Sequence, residues 1–170
     1  FRVLNNTNIS VNSNHNGAEN GLSFLQTNVQ TGGIKLLISG NTFLNNDSVF
    51  IMNIETSSYV SDTVIVSNNT FNINPRDNQF CRVQIVSNKE EDLLVFKDNI
   101  FPSDSGSYVS NIHLQRADSV LRNTIYGSIY NEYGSPYVAN NRLLRNVSNS
   151  NYTSLELRLC SPTVINNYIV

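Results

Sequence analysis

Three aspartates stand at related distances ahead of an asparagine: Asp62 seven residues before Asn69, Asp92 seven before Asn99, and Asp118 five before Asn123. Carboxylates stacked at one place repel, so such a column either binds a cation or carries a raised pKa. Asp62, Asp92 and Asp118 are therefore candidate metal ligands, and Asp92 and Asp118 candidate acid–base groups. Glu132 and Glu156 form a second candidate pair, useful to a glycosidase if their carboxyls lie ~5–9 Å apart. A third set could hold a sugar without cleaving it. Tyr126, Tyr130, Tyr133 and Tyr137 offer rings for the C–H face of a pyranose, and Asn111, His113 and Arg158 offer hydrogen bonds to its hydroxyls. Each set has a plainer reading. Aspartate opens strands after turns, a face of mixed charge keeps a sheet soluble, and tyrosines pack at rims. Solvated turn acids and a solvated face are the preferred readings of the carboxylates.

The elements that must position these residues come from a repeat. A few aliphatic residues, an asparagine and one or two apolar residues recur through the chain. Copies include Leu37-Ile38-Ser39-Gly40-Asn41-Thr42-Phe43, Ile65-Val66-Ser67-Asn68-Asn69-Thr70-Phe71 and Val95-Phe96-Lys97-Asp98-Asn99-Ile100-Phe101. Val120 to Ile125, Val138 to Leu143 and Val164 to Ile169 continue it, and Val3 to Thr7 reads as a degenerate first copy. Between Asn41, Asn69, Asn99, Asn123, Asn141 and Asn167 the intervals are 28, 30, 24, 18 and 26 residues. A further strand falls between most markers, as in Val83-Gln84-Ile85-Val86, Ile112-His113-Leu114 and Leu155-Glu156-Leu157-Arg158-Leu159. The last alternates apolar and polar residues, the mark of a strand with one buried face. Its outward column would hold Arg82, Gln84, Asn111, His113, Gln115, Glu132, Glu156 and Arg158. Turns are expected at 75–78, 103–106 and 134–136. Gly127, Gly134 and Pro136 break the helix-like spacing of the four tyrosines, so strand and turn are expected there too.

Irregular turns of about 25 residues with one asparagine at a fixed corner predict an all-β parallel β-helix of about six coils. Coils stack ~4.8 Å apart, so each amide can donate to one neighbour and accept from the other. Asparagine also tolerates the left-handed backbone of a tight corner. An antiparallel sandwich would share the short strands but not the asparagine after the same apolar pair.

Composition excludes several classes. Charged residues make up 14% of the chain and the formal net charge is −2, whereas phosphate binding needs clustered Lys and Arg. No nucleic-acid partner is expected. No apolar run nears the ~20 residues of a membrane span, and 39% hydrophobic residues suffice for a core. With 29 asparagines in 170 residues, the Asn-x-Ser/Thr triplets at Asn5, Asn8, Asn46, Asn68, Asn146 and Asn151 arise partly by chance. His and Cys are too scattered for zinc. Both ends read as strand, and the 1–170 domain is read as one piece of a longer chain.

The repeats resemble the right-handed parallel β-helix of the pectate-lyase-like class, which includes polysaccharide lyases, hydrolases and phage tailspikes. The likeness runs from about Ile34 to Val170 and concerns architecture alone. It implies calcium as the ion an acid column would take, although no cofactor is expected. It also implies a homotrimer or flanking domains covering the stack. Cys81 and Cys160 fall about three coils apart, ~14 Å by strand spacing, against the ~7 Å limit of a disulfide. No disulfide is expected. The function read from the sequence is a structural shaft or carbohydrate-binding surface of an extracellular or virion-associated protein, leaning away from enzyme. A polysaccharide lyase or hydrolase is the alternative, with a surface adhesin a distant third.

Overall fold

The computed structural model describes residues 2–4, 9–11, 25–28, 35–45, 50–56, 61–73, 81–102, 110–144 and 154–170. Among them every regular element is a strand, and every pairing between strands is parallel. The expected turns at 75–78 and 103–106, residues 5–7 of the first repeat copy, and the triplets at Asn5, Asn8, Asn46, Asn146 and Asn151 lie outside the described residues.

The chain advances by three strands at a time. First come β1 (Arg2–Leu4), β2 (Ile9–Val11) and β3 (Leu25–Asn28), then β4 (Lys35–Ser39), β5 (Thr42–Asn45) and β6 (Phe50–Glu55). Next are β7 (Thr63–Ser67), β8 (Thr70–Ile73) and β9 (Cys81–Val86), followed by β10 (Leu93–Lys97), β11 (Ile100–Phe101) and β12 (Ser110–Gln115). After β13 (Ser119–Leu121), the long β14 (Thr124–Glu132) does the work of two strands. β15 (Tyr137–Ala139), β16 (Arg142–Leu144), β17 (Leu155–Arg158), β18 (Thr163–Ile165) and β19 (Tyr168–Ile169) complete the order. The first sheet runs β1-β4-β7-β10-β13-β15-β18. A second runs β2-β5-β8-β11-β14-β16-β19, and a third β3-β6-β9-β12-β14-β17. β14 joins the last two, bending at Gly127 (φ 153°), so they form one strongly curled surface facing the first. This is a parallel β solenoid in outline.

Inward side chains stack in register. Ile38, Val66, Phe96, Val120 and Val138 form one buried column, and Phe43, Phe71, Phe101, Ile125 and Leu143 another. Phe43 and Phe71 stack with ring centroids 4.7 Å apart, and Phe71 and Phe101 at 4.4 Å. Met52, Val83, Ile112 and Ile129 line the third sheet, beside Ile54, Ile85 and Leu114. At the position after Leu114 the column carries Asn131, fully buried. Its Oδ1 accepts from the Ala117 N–H at 3.1 Å and its Nδ2 donates to the Tyr133 carbonyl at 3.1 Å, so the polar side chain closes the turn into the first sheet.

The asparagine corner forms as a continuous ladder. Nδ2 of Asn41 donates to Oδ1 of Asn69 at 3.0 Å, and the same bond recurs to Asn99, Asn123, Asn141 and Asn167. Each Oδ1 also accepts the backbone N–H of the preceding ladder residue, at 3.0 Å from Asn41 and 3.2 Å from Asn69. From Asn69 onward, each Nδ2 makes a second donation to a carbonyl of the previous strand of the first sheet, such as Ile38 or Val66 at 3.0 Å. One expectation is corrected here. The left-handed backbone belongs to the residue before each ladder asparagine: Gly40 (φ 70°), Asn68 (55°), Asp98 (55°), Arg122 (51°), Asn140 (57°) and Asn166 (53°). The ladder residue must aim its amide inward along the stack, so its neighbour takes the turn. In Asn-Asn doublets the first residue makes the bend and the second the ladder.

A second left-handed series follows the third sheet, at Arg116 (56°), Tyr133 (63°) and Leu159 (48°). Leu159 is 72% exposed, so packing contributes little to offset its conformation. Replacing it with asparagine is expected to stabilise the fold by about 0.5–1 kcal/mol. A thermal midpoint that falls in Leu159→Asn would contradict this account.

Candidate functional site

Burial alternates along β12 and β14, with Ile112, Leu114, Ile129 and Asn131 inside and Asn111, His113, Gln115, Tyr130 and Glu132 outward. The outward residues of the third sheet meet strand by strand. Asn111 lies beside Ser128, His113 beside Tyr130, and Gln115 beside Glu132; Tyr130 in turn lies beside Glu156, and Glu132 beside Arg158. Arg82 occupies the register position before Asn111, and Gln84 that before His113.

This face is held by its own contacts. The Ser128 hydroxyl donates to Asn111 Oδ1 at 3.4 Å. His113 meets Tyr130 edge-on with ring centroids 4.8 Å apart, and the Arg158 guanidinium lies 5.6 Å from the Tyr130 centroid. Arg158 Nε donates to Glu156 Oε1 at 2.5 Å, and that carboxylate raises the guanidinium above its ordinary value. Desolvation, with the neighbouring Glu132 carboxylate, pushes the Tyr130 hydroxyl up. The Tyr130 ring is therefore taken by His113 and Arg158, and its hydroxyl is hydrogen-bonded to Glu132 and Arg158, so the residue is held from both ends. Glu132 and Glu156 are diagonal neighbours, one strand across and two residues along, with Cα atoms ~8 Å apart by strand geometry. Arg158 stands directly across from Glu132 and binds Glu156.

The sequence cluster of tyrosines disperses around the coil. Tyr126 pairs with Leu144 in the second sheet, Tyr130 lies in the third, and Tyr137 pairs with Ser119 in the first. Tyr133 sits at the turn between them, with the Arg116 guanidinium 5.4 Å from its ring centroid. Spacings of three and four residues gather side chains on a helix, but along a coil that changes sheet they scatter. Tyr130 alone of the four joins Asn111, His113 and Arg158.

The aspartates also part company. Register sets Asp62 beside Asp92, because Thr63 pairs with Leu93. Asp118 falls beside Leu94 instead, since Val95 pairs with Ser119, and its Oδ2 accepts the Leu94 N–H at 2.7 Å. Asp62 and Asp92 are 3% and 4% exposed, so neither is a solvated turn acid; Asp118 is exposed. Asp92 Oδ1 accepts the Asp62 N–H at 2.8 Å, and its Oδ2 accepts Thr56 Oγ1 at 2.6 Å, Ser87 Oγ at 2.8 Å and the Lys89 N–H at 3.3 Å. Burial opposes ionisation of Asp92, but these four donors outweigh it and hold the carboxyl below its usual range. Although the residue is exposed, its carboxyl is partly desolvated where it meets the Leu94 N–H, which raises Asp118, and the charge of Asp92 adds to the rise. Among the described residues no group of three or more His, Cys, Asp or Glu is placed to hold a metal ion.

Cys160 is a free thiol, pushed up by burial and hydrogen-bonded to Asn131. Cys81 pairs in register with Ser110, three strands of the third sheet before the strand that ends beside Cys160. Asn131 was hidden from sequence reading, because its alternation with Ile129 fits an inward apolar site equally well. No helix among the described residues is long and apolar enough to cross a membrane. Searches against family models, curated proteins and solved structures find no match for this chain.

Proposed function

We propose that the chain is a right-handed parallel β-helix of about six coils, of the pectate-lyase-like or tailspike kind, serving an extracellular or virion-associated protein as a rigid shaft with a carbohydrate-binding face. The observation that carries this reading is the outward third sheet. Asn111, Ser128, Gln115, Tyr130, Glu156 and Arg158 present amides, hydroxyls and a paired charge on neighbouring strands. Adjacent groups repeat at ~4.8 Å on a backbone that the ladder keeps rigid, which suits the periodic hydroxyls of a polysaccharide. Glu156 is engaged by Arg158, which favours holding a sugar over cleaving one.

The test is retention and cleavage of acidic and neutral polysaccharides, with and without calcium. Retention without cleavage is expected, weakened about tenfold by Arg158→Ala, a loss of ~1.4 kcal/mol. Cleavage abolished by Glu132→Gln would replace this reading with the depolymerase one. Calcium-dependent cleavage would point to a lyase. Failure of every polysaccharide to be retained would leave the shaft alone.

A further inference from the structure

The residues that bend the chain between the first and second sheets form an outward series, and one of them carries a motif the shaft does not use. Asn68 is exposed at φ 55°, and its backbone N–H donates to the Lys97 carbonyl at 3.2 Å. Among the described residues no hydrogen bond engages its side-chain amide, whereas the amide of Asn69 is committed to the ladder. Asn69 is buried, and Thr70 is half-buried at the start of β8, directly before the inward Phe71. Asn68 and Thr70 therefore stand on the outside of the corner, with the side chain between them turned in. Together they make the Asn-x-Thr triplet of an N-glycan acceptor.

The space around Asn68 is open. In the bend series its neighbour on the preceding turn is Gly40, which has no side chain, and on the following turn Asp98. The Asp98 carboxylate is drawn onward to Arg122, at 2.7 and 2.8 Å, away from Asn68. A branched sugar on Asn68 Nδ2 would extend into solvent without displacing a packed group.

We propose that Asn68 carries an N-linked oligosaccharide. Its Nδ2 bonds to the anomeric carbon of a lipid-diphosphate-linked oligosaccharide as the bond from that carbon to the phosphate oxygen breaks. The lipid diphosphate leaves with the electron pair, and the amide loses one proton. Donor and transferase meet a chain during secretion, so the inference rests on the extracellular part of the proposed function. The fold supplies its own controls. Asn140 and Asn166 are likewise exposed, left-handed and followed by a ladder asparagine, but Arg142 and Tyr168 stand where Thr70 supplies a hydroxyl. A glycan on Asn68 leaves the polar face of the third sheet clear, since the corner lies between β7 and β8.

The test is secretion of the whole chain from eukaryotic cells, then enzymatic release of N-glycans in heavy-oxygen water and peptide sequencing by mass spectrometry. Each formerly glycosylated asparagine is read as a labelled aspartate. Label at Asn68 on most chains is expected, with none at Asn140 or Asn166. Asn68→Gln and Thr70→Val should each abolish it, the second without touching the acceptor amide. Should a variant fail to be secreted, translation with microsomes reads the same loss by gel mobility, as one glycan fewer than the parent. An unlabelled Asn68, whatever the state of the other triplets, or label that persists in Thr70→Val would overturn the proposal. Polysaccharide retention is measured on chain made without glycosylation, so failure of either inference is read apart from the other.

Discussion

Replacing Asn99 with leucine is expected to cost about 4–6 kcal/mol, although the two side chains have the same number of non-hydrogen atoms. Asn99 is fully buried in the middle of the ladder. Its Oδ1 accepts both the N–H and the Nδ2 of Asn69, and its Nδ2 donates to the Val66 carbonyl and to Asn123 Oδ1. Leucine orphans two donors and one carbonyl where water cannot reach, at roughly 1–3 kcal/mol each. That loss is comparable to the whole stability of many domains, ~5–15 kcal/mol. Asn167 supplies the comparison. It too accepts from the N–H and Nδ2 of its neighbour, here Asn141, and donates to two carbonyls, Val138 and Ile165, but it is only half-buried. Solvent can replace its bonds, so Asn167→Leu should cost about 1–2 kcal/mol. Urea midpoints of the two variants read the difference. Equal losses would mean that burial of the ladder is not what makes it matter.

The ladder was legible because one amide satisfies its neighbours identically at every step, so selection for the bond leaves the same residue at the same corner. The division of labour inside the doublets Asn68-Asn69, Asn140-Asn141 and Asn166-Asn167 was not, since either asparagine could bend or bridge. Gly40, Asp98 and Arg122 take the bending position elsewhere, which shows how weakly it constrains the side chain. At Asp98 and Arg122 the two bends are tied by a bidentate pair at 2.7 and 2.8 Å, exposed and therefore of small energetic weight. Alternation in Leu155-Glu156-Leu157-Arg158 reported a polar outer face correctly. Runs such as Thr63-Val64-Ile65-Val66 report only that a strand is apolar, and the pairing register was needed to see which residues point out. Register also separated Asp118 from Asp92. Counting back from the ladder asparagine keeps register here: Asp62 and Asp92, both seven residues ahead, fall side by side, whereas Asp118, five ahead of Asn123, falls beside Leu94, five ahead of Asn99.

Removing Asp92 is expected to cost about 3–5 kcal/mol in Asp92→Ala, because one carboxylate joins two successive turns. Thr56 and the Asp62 N–H approach it from one turn, and Ser87 and the Lys89 N–H from the next. Thr56 Oγ1 in addition accepts the Asn88 N–H at 2.9 Å, so the loss spreads along the chain of bonds. Asp92→Asn keeps an acceptor for Asp62 but turns an amide toward the donors at Oδ2, and about half the cost is expected. The pH dependence has a definite sign. The folded carboxyl lies below its ordinary value, so the folded state releases this proton more readily than the unfolded chain. The stabilisation is complete above the unfolded value of about 4 and fades as pH falls through the lower folded value. Asp118 works the other way, since its raised carboxyl favours the folded state in acid and loses that contribution as pH rises through the folded value. Urea unfolding of the parent and Asp92→Asn across pH 2–7 separates them. The parent's advantage should be constant near neutrality and shrink toward pH 2, and an advantage that persists undiminished at pH 2 would place the linkage on another group.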